Sequence, residues 1–251
     1  MIDKDKEILY KTWPLWNIVR EIGKGSYGRV YEIQRKENDN TFTAALKILS
    51  VPQSDNDLEL IVNEMGSDHS ATVYFKSCVN DIAKEVSFMA SLKGNSNIVS
   101  YEDHIIVPHE EKIGWDILIR MELLKPLTKW LNTHMLTENG VIKLGMELCS
   151  ALETCEKKQI LHRDIKPGNI FISSDGHFKL GDFGVAKNVE KTTAIHSKKG
   201  TNSYMAPEVL KCDNYGSSVD IYSLGMVLYY LLNDNRLPFL PPKPEQLVVT
   251  H

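Results

Sequence analysis

The sequence predicts an α+β protein in which a small antiparallel sheet of five strands with one main helix is followed by a mainly helical part. Short apolar runs separated by turn signals fill the first half of the chain. Helical spacing of apolar residues takes over from residue 141 onward. With 251 residues and 42% apolar content, the chain is long enough for one large core or for two lobes.

A glycine-rich turn joins the first two predicted strands. Apolar residues around Ile18 lead into Gly23-Lys24-Gly25-Ser26-Tyr27-Gly28, and Val30-Tyr31-Glu32-Ile33 follows. A dinucleotide-binding fold would need a helix after this motif, whereas the residues that follow are typical of a strand. The turn is therefore either an ordinary glycine-rich turn or a hairpin whose backbone N–H groups cover phosphates, where glycine lets the backbone approach closely.

The third predicted strand, Thr41 to Leu49, places Ala45 and Lys47 on one face. A small residue beside a cation would suit a purine ring over Ala45 and phosphates at Lys47. The alternative is a solvated lysine at a strand edge, which is the usual environment of lysine. Apolar neighbours on both sides of Lys47 favour the nucleotide interpretation.

Two further strands complete the predicted sheet. Ile98 to Val107 and Trp115 to Leu123 flank a turn at Pro108-His109-Glu110-Glu111. In the second of these strands every other residue is apolar, which predicts one inward face. Its members are Trp115, Ile117, Ile119, Met121 and Leu123.

The stretch from Ile160 to Glu208 carries the chemistry. Apolar Ile170-Phe171-Ile172 and Phe178-Lys179-Leu180 flank the turn signal Ser174-Asp175-Gly176, which predicts a hairpin. Its open end would bring Asn169 and Asp182 together, and an amide oxygen with a carboxylate suits Mg²⁺. Asp164 would remain free to meet a substrate hydroxyl.

These spaced motifs resemble those of a eukaryotic-type (Hanks-type) serine/threonine protein kinase catalytic domain. His162-Arg163-Asp164-Ile165-Lys166-Pro167-Gly168-Asn169 is similar to the catalytic loop, Asp182-Phe183-Gly184 to the metal loop, and Ala206-Pro207-Glu208 to the end of the activation segment. The resemblance implies a bilobal fold and transfer of phosphate from ATP to protein serine or threonine hydroxyls.

The resemblance also assigns roles. Asp164 would orient the acceptor hydroxyl and take its proton, while Asn169 and Asp182 would hold magnesium. Lys166 would neutralise charge on the transferred group, as in the serine/threonine type. His162 would be structural, and Asp220 would bond the backbone near His162 and Arg163.

By the same resemblance the first lobe spans about residues 13–121, a hinge about 122–126, and a partial second lobe about 127–251. The Glu122 carbonyl and the Leu124 amide would bind the adenine edge, and Met121 would be the gatekeeper. Met121 has the alternative of being an ordinary core residue. The nucleotide-binding residues expected in total are Ile22, Gly23, Gly25, Gly28, Val30, Ala45, Lys47, Glu85, Met121, Glu122, Leu124 and Phe171.

The kinase pattern requires a helical glutamate that pairs with Lys47, and two candidates exist. Glu85 shares a helical face with Ile82, Met89 and Leu92, so it would point inward, and it is preferred over Glu64. This choice implies an unusually long insertion at about residues 50–80, in which 58–62 would form an extra helical turn or two. The alternative for Glu85 is a surface glutamate.

The polar segment 187–199 occupies the position of the family's activation segment. Thr192, Thr193 or Ser197 is expected to be autophosphorylated, because a phosphate there would pair with Arg163. The alternative is an unmodified loop. Gly200-Thr201 resembles the serine/threonine-type pattern, and it favours a protein acceptor.

The net charge, the cysteines and the apolar runs limit the partners and the location that we expect. The net charge of −4 gives no reason to expect nucleic acid as a partner. Among the four cysteines, Cys149 and Cys155 lie in one apolar periodic segment, so we expect buried free thiols and a cytoplasmic location. The charged N-terminus does not resemble a signal peptide, and the longest apolar run is too short to cross a bilayer.

The C-terminal end departs from the family pattern. The helix that begins at Asp220 is apolar nearly all round, which predicts burial, but a proline-rich ending follows it where the family continues in helices. We therefore expect a short second lobe with an exposed apolar face and possible self-association. The insertion and this ending resemble bacterial members of the family.

Two alternative functions remain at this point, an inactive kinase-fold scaffold and a small-molecule phosphotransferase.

Overall fold

An antiparallel sheet of five strands dominates the first half of the chain in the computed structural model, which describes residues 2–25, 28–183, 201–211 and 215–238. The strands lie in the order β1-β2-β3-β5-β4, and every neighbouring pair is antiparallel. This confirms the predicted α+β class and the five-stranded sheet. Their bounds are β1 Asn17–Gly25, β2 Gly28–Glu37, β3 Asn40–Val51, β4 Tyr101–Pro108 and β5 Trp115–Met121.

Strand β5 is buried on both faces, which differs from the predicted alternation. Asp116, Ile117, Leu118 and Ile119 are all buried, because β5 is an inner strand between β3 and β4 and side chains pack on both of its faces. The strand ends at Met121, so Leu123 lies beyond it.

A helix that the sequence analysis did not predict, α1 Ile2–Thr12, packs on one face of this sheet. Its Ile8 and Leu9 join a buried cluster with Tyr31 and Leu46 from the sheet and with Trp16. Apolar side chains at these spacings give α1 a narrow buried stripe. The Glu7–Lys11 pair, with the acid four residues before the base, supports the exposed side.

Two helices fill the region that was expected to be a long insertion with an extra helical turn or two. Helix α2 spans Asp55–Met65, and α3 spans Asp68–Ser91 as one continuous element of 24 residues. Ser54 and Ser67 cap their N-termini, and Gly66 ends α2 in the left-handed conformation. The expected extra turn or two was therefore an underestimate, because the cap residues place two helix starts within this region.

The remaining elements form a second group. Strands β6 Lys125–Pro126, β7 Ile170–Ile172 and β8 Phe178–Leu180 make a small antiparallel sheet in that order. The helices are α4 Leu127–Leu131, α5 Glu138–Lys157, α6 Pro207–Leu210 and α7 Ser218–Leu232, with single 3₁₀ turns at Pro167–Asn169 and Thr201–Tyr204.

Helix α5 confirms the predicted periodicity. The residues predicted at helical spacing are all buried, namely Val141, Leu144, Leu148, Ala151, Leu152 and Cys155. Cys149, however, is exposed, so the prediction that it is a buried thiol was wrong. Its position, three residues after Met146 on the outer side of the helix, places it away from the buried stripe.

Helix α7 is buried on one side only, which corrects the expectation of burial nearly all round. Val219, Leu224 and Val227 are buried, whereas Ile221 and Leu232 are more than half exposed. Uniform hydrophobicity does not reveal which side of a helix is covered, so the sequence pattern overestimated the burial.

The described residues divide into two compact units. One holds the residues up to Leu124 together with Asp182 and Phe183, and the other holds Lys125–Gly181 and the described residues from Thr201 on. No helix among the residues described is long and apolar enough to cross a membrane.

Candidate active site

The hairpin of β7 and β8 positions the first candidate residues. Ile170 pairs with Leu180 and Ile172 with Phe178, which confirms the predicted hairpin. At its open end the Gly181 N–H donates to the Asn169 carbonyl at 3.0 Å. Asn169 is thereby fixed beside Gly181, and Asp182 is the next residue along the chain.

Helix α5 holds the hairpin in place through Glu147. This carboxylate accepts a hydrogen bond from the Phe178 N–H at 2.7 Å and contacts His177 Nδ1 at 2.6 Å. The Glu147 side chain is only 15% exposed, so water competes weakly for these bonds. Glu147 belongs to no sequence motif and was not predicted, because its partners lie about thirty residues later in the chain.

Asp164 lies in a polar cluster just before this hairpin. Its Oδ2 accepts from Lys166 Nζ at 2.9 Å and from Asn169 Nδ2 at 2.9 Å. Asn169 Nδ2 also donates to the Asp164 carbonyl at 2.8 Å. The structure thus brings three predicted site residues together, with an ammonium and an amide orienting one carboxylate.

Asp220 fixes the backbone that carries Asp164. Its two carboxylate oxygens accept from the N–H groups of His162 and Arg163, each at 2.8 Å. Asp220 is buried, and these charge-assisted bonds stabilise Arg163 in the left-handed conformation at φ 61°. The predicted structural role of Asp220 is confirmed.

His162 is also structural, as predicted. Its Nδ1 accepts from the Asp164 N–H at 3.3 Å, which assigns the proton to Nε2, and Nε2 donates to the Gly181 carbonyl at 3.0 Å. The ring therefore links the loop of Asp164 to the end of β8. It is buried and has both nitrogens engaged, which leaves it no role as a proton acceptor from substrate.

In the first unit, strand register places several candidate nucleotide residues on one face of the sheet. Gly23 pairs with Val30, Val30 with Lys47, and Ala45 with Met121. Paired residues share a face, as do residues two apart on a strand, so all five lie on the face opposite Tyr31 and Leu46. Ala45 is buried, and Val30, Lys47 and Met121 are half buried.

Lys47 forms an ion pair with Asp182 in this unit. The Lys47 side chain is 12% exposed and the Asp182 side chain 41%, so the carboxylate remains open on one side. Asp182 has φ 60°, the left-handed region that is costly for a residue with a side chain. Glu85 lies half buried on α3 beside the buried Ile82 and Met89, and its pairing with Lys47 stays a prediction.

The two predicted metal ligands belong to different units, Asn169 to the second and Asp182 to the first. The Asn169 amide donates both of its hydrogen bonds to Asp164 through Nδ2, which directs its oxygen away from Asp164. An amide oxygen and the partly exposed Asp182 carboxylate are hard oxygen ligands, and Mg²⁺ commonly takes only one or two protein carboxylates with the rest from phosphate and water. Across the described residues no group of three or more His, Cys, Asp or Glu side chains could hold a metal ion.

The predicted hinge contains the boundary between the two units, after Leu124. Glu122 is fixed in the first unit, because its N–H donates to the Ser100 carbonyl at 3.0 Å and its Oε1 accepts from the Ser100 N–H at 2.5 Å. Leu124 is half buried. Of the other predicted nucleotide residues, Ile22 is half buried in β1, and Phe171 is half buried in β7 of the second unit.

Several predicted residues lie outside the described part of the chain. They are Gly184, Thr192, Thr193, Ser197, Gly200 and Cys212. The backbone of Gly25 is described at the end of β1. Arg163, the predicted partner of a phosphate on this segment, stacks over the Tyr215 ring at 5.6 Å.

Comparisons with known proteins point to one family. Residues 16–248 match the family model of the protein kinase domain. The chain is similar to the serine/threonine-protein kinase Nek2 of Mus musculus, with 31% identity over 86% of this chain and 46% of the relative. It is also similar to a probable serine/threonine-protein kinase nek2 of Dictyostelium discoideum, with 31% identity over 85% and 47%.

A third relative, the serine/threonine-protein kinase AtPK1/AtPK6 of Arabidopsis thaliana, is 27% identical over 91% of this chain and 43% of its own length. The chain spans less than half the length of each of these three relatives. Members of this family generally use ATP with Mg²⁺ and act on protein substrates. Because the match covers nearly the whole sequence, the chain belongs to the protein kinase domain family.

Proposed function

We propose that this chain is a serine/threonine protein kinase that transfers the terminal phosphate of ATP to a protein hydroxyl. The observation that carries the proposal is the Asp164 carboxylate, which is held by Lys166 and Asn169 in a loop fixed by Asp220. A lysine two residues after the aspartate is the pattern of the serine/threonine type. The three serine/threonine-protein kinase relatives support the same acceptor class.

Asp164 is the residue that we assign to the acceptor hydroxyl. Its carboxylate would accept the hydroxyl hydrogen bond and orient the oxygen toward the phosphate. Lys166 contacts the same carboxylate at 2.9 Å, and its ammonium would neutralise the charge that develops on the moving phosphoryl group. The bonds already present hold both side chains before substrate arrives, and this reduces the entropy lost on binding.

Lys47, Asn169 and Asp182 are the residues that we assign to the triphosphate. Lys47 would bind phosphate oxygens with its ammonium, and its present contact with Asp182 shows that it can reach an anionic partner. Asn169 and Asp182 would supply oxygen ligands to Mg²⁺. The metal would neutralise phosphate charge when bound. Ala45 and Met121 would line the base, on the sheet face that also carries Lys47.

The test is an autophosphorylation assay with ATP and Mg²⁺, scored by mass spectrometry and by transfer to a generic protein acceptor. Asp164→Asn should abolish transfer, because the amide cannot take the hydroxyl proton. Asp81→Asn is the matched control, since it changes an aspartate on α3 whose side chain is 43% exposed, and it should transfer at the wild-type rate.

Other outcomes identify the alternatives. Wild-type protein that binds ATP but transfers no phosphate would indicate a kinase-fold scaffold. Transfer to amino-sugar or choline-like acceptors in place of protein would indicate a small-molecule phosphotransferase. Phosphate found on Thr192, Thr193 or Ser197 would support the proposed autophosphorylation, and a segment without phosphate in active protein would contradict it.

We also propose self-association and a cytoplasmic location. Ile221 and Leu232 expose apolar surface on α7, which a second copy would cover. Among the described residues, Cys149 and Cys155 are free thiols, which suits a reducing compartment. Cell fractionation tests the location. The absence of nucleic acid as a partner and the bacterial origin stay predictions.

A further inference from the structure

Helix α1 packs on the sheet face opposite the candidate nucleotide residues. Ile8 and Leu9 contact a buried cluster that includes Tyr31 and Leu46, whose side chains alternate with those of Val30 and Lys47. The helix therefore contacts β2 and β3, the strands that carry Val30 and Lys47, on the opposite face of the sheet.

One buried acid links this helix to the glycine-rich hairpin. Asp5 is 3% exposed, and its Oδ1 accepts from Arg29 Nη2 at 2.9 Å while its Oδ2 accepts from the Tyr31 hydroxyl. Burial and the bond to Asp5 raise the pKa of Tyr31, so its hydroxyl stays a donor at neutral pH. A buried carboxylate with both oxygens engaged costs several times more to disturb than an exposed pair.

The position of Arg29 explains how its bond to Asp5 restrains the start of β2. Arg29 directly follows Gly28, and it pairs with Lys24 in β1 and with Ile48 in β3. Asp5 thus holds β2 at its first residues, where the strand leaves the glycine-rich turn. The second partner of Asp5, Tyr31, lies two residues further along β2 on the same face. Because Asp5 is bonded at two points of the strand, it restrains both the translation and the tilt of β2.

We propose that Asp5 is a positioning residue that fixes the glycine-rich hairpin for nucleotide binding through Arg29 and Tyr31. The inference rests on the proposed function, because it takes that hairpin to cover the phosphates of ATP. Asp5 itself lies on the opposite face and does not touch the nucleotide. Its loss affects the pre-organisation of the hairpin, and hence the KM for ATP more than the turnover of bound ATP.

The test compares Asp5→Asn with Lys4→Met. Lys4 is the neighbouring residue of α1 and pairs with Asp116 on β5 at 3.2 Å, away from the hairpin, so its replacement disturbs the docking of α1 elsewhere. Asp5→Asn should raise the KM for ATP by roughly three- to tenfold, with the KM for the protein substrate unchanged. Lys4→Met should leave both KM values unchanged. Tyr31→Phe, which retains the ring and removes the hydroxyl, should raise the KM for ATP by a smaller factor.

Hydrogen–deuterium exchange without nucleotide separates this inference from the proposed function. Asp5→Asn should speed exchange of the amides in 23–25 and 28–30, and Lys4→Met should not. Unchanged exchange in Asp5→Asn, or an equal increase in both variants, would overturn the inference even in a protein without kinase activity. If exchange behaves as expected but wild-type protein neither binds ATP nor transfers phosphate, the hairpin link stands and the proposed function fails.

Discussion

At the scale of single residues, position 28 requires glycine for a structural reason that is separate from phosphate binding. A Cβ atom added there would lie 2.2 Å from the Ile48 carbonyl oxygen, and φ is +148°. At Gly23 an added Cβ would meet only the Val30 side chain, at an ordinary 3.7 Å. Both glycines were predicted to bind the nucleotide, whereas Gly28 is also required for β2 to pair closely with β3.

This difference gives a prediction for two alanine variants. Gly28→Ala should lower the free energy of unfolding by about 1–3 kcal/mol, because backbone atoms must move to admit the methyl group. Gly23→Ala should change it by less than about 0.5 kcal/mol. Thermal and urea unfolding without nucleotide measure both values. Equal losses in the two variants would show that the β2–β3 contact does not restrict Gly28.

At the scale of elements, the structure ties each catalytic segment to a helix by an acid with little solvent exposure. Asp220 of α7 holds the backbone of residues 162 and 163, and Glu147 of α5 holds the start of β8. These acids accept from backbone N–H groups that lack a partner within a helix or strand ladder, so each also satisfies a polar group that would be costly to bury alone.

Glu147→Ala should therefore loosen the β7–β8 hairpin. We expect the free energy of unfolding to fall by about 1–3 kcal/mol, because the Phe178 N–H loses its acceptor. Phosphate transfer should slow as well, since Asn169 lies at the base of this hairpin. Denaturant unfolding and initial rates at saturating ATP measure the two effects.

The matched control is Glu153→Ala on the same helix. Glu153 pairs with Lys157 at 2.6 Å, and both side chains are more than 60% exposed, so this variant should keep the wild-type stability and rate. A Glu147→Ala protein that also behaves as wild type would mean that α5 does not hold the hairpin.

The contrast between predicted and unpredicted elements has a physical cause. Helix α5 and the β7–β8 hairpin were predictable because local spacing and turn residues specify them. Helix α1 was not, because its buried side includes the charged Asp5, whose partners lie 24 and 26 residues away on β2. Periodicity registers apolar side chains and does not register an acid that becomes buried only through long-range bonds.

At the scale of the whole molecule, the candidate site was predictable from spaced motifs, but the supports around it were not. Asp164, Lys166 and Asn169 follow one another closely in the sequence, and the structure brings them into contact. Lys47 and Asp182 are 135 residues apart, and only the resemblance placed them in one site. Asp5 and Glu147 had no such motif, so the structure alone identifies them.

The exposed side of α7 bears on the behaviour of the whole molecule in solution. Ile221 is 53% exposed and Leu232 is 60% exposed, and they lie eleven residues apart, about three helical turns, on one line of the helix. An added Cβ at Gly225, between them on that line, would meet no atom within 4 Å. Burial of apolar surface of this kind contributes a favourable free energy of about 25 cal/mol per Å².

We expect the chain to self-associate in a concentration-dependent way through this line of residues. Ile221→Glu should shift it toward the monomer, because association would then bury an unpaired carboxylate. Met135→Glu is the matched control, since Met135 is 90% exposed in the loop between α4 and α5 and its replacement should leave association unchanged. Sedimentation velocity over a wide range of protein concentration measures the distribution. A wild-type chain that stays monomeric throughout, or an equal response of both variants, would assign no self-association to α7 and leave its apolar line as exposed surface of a monomer.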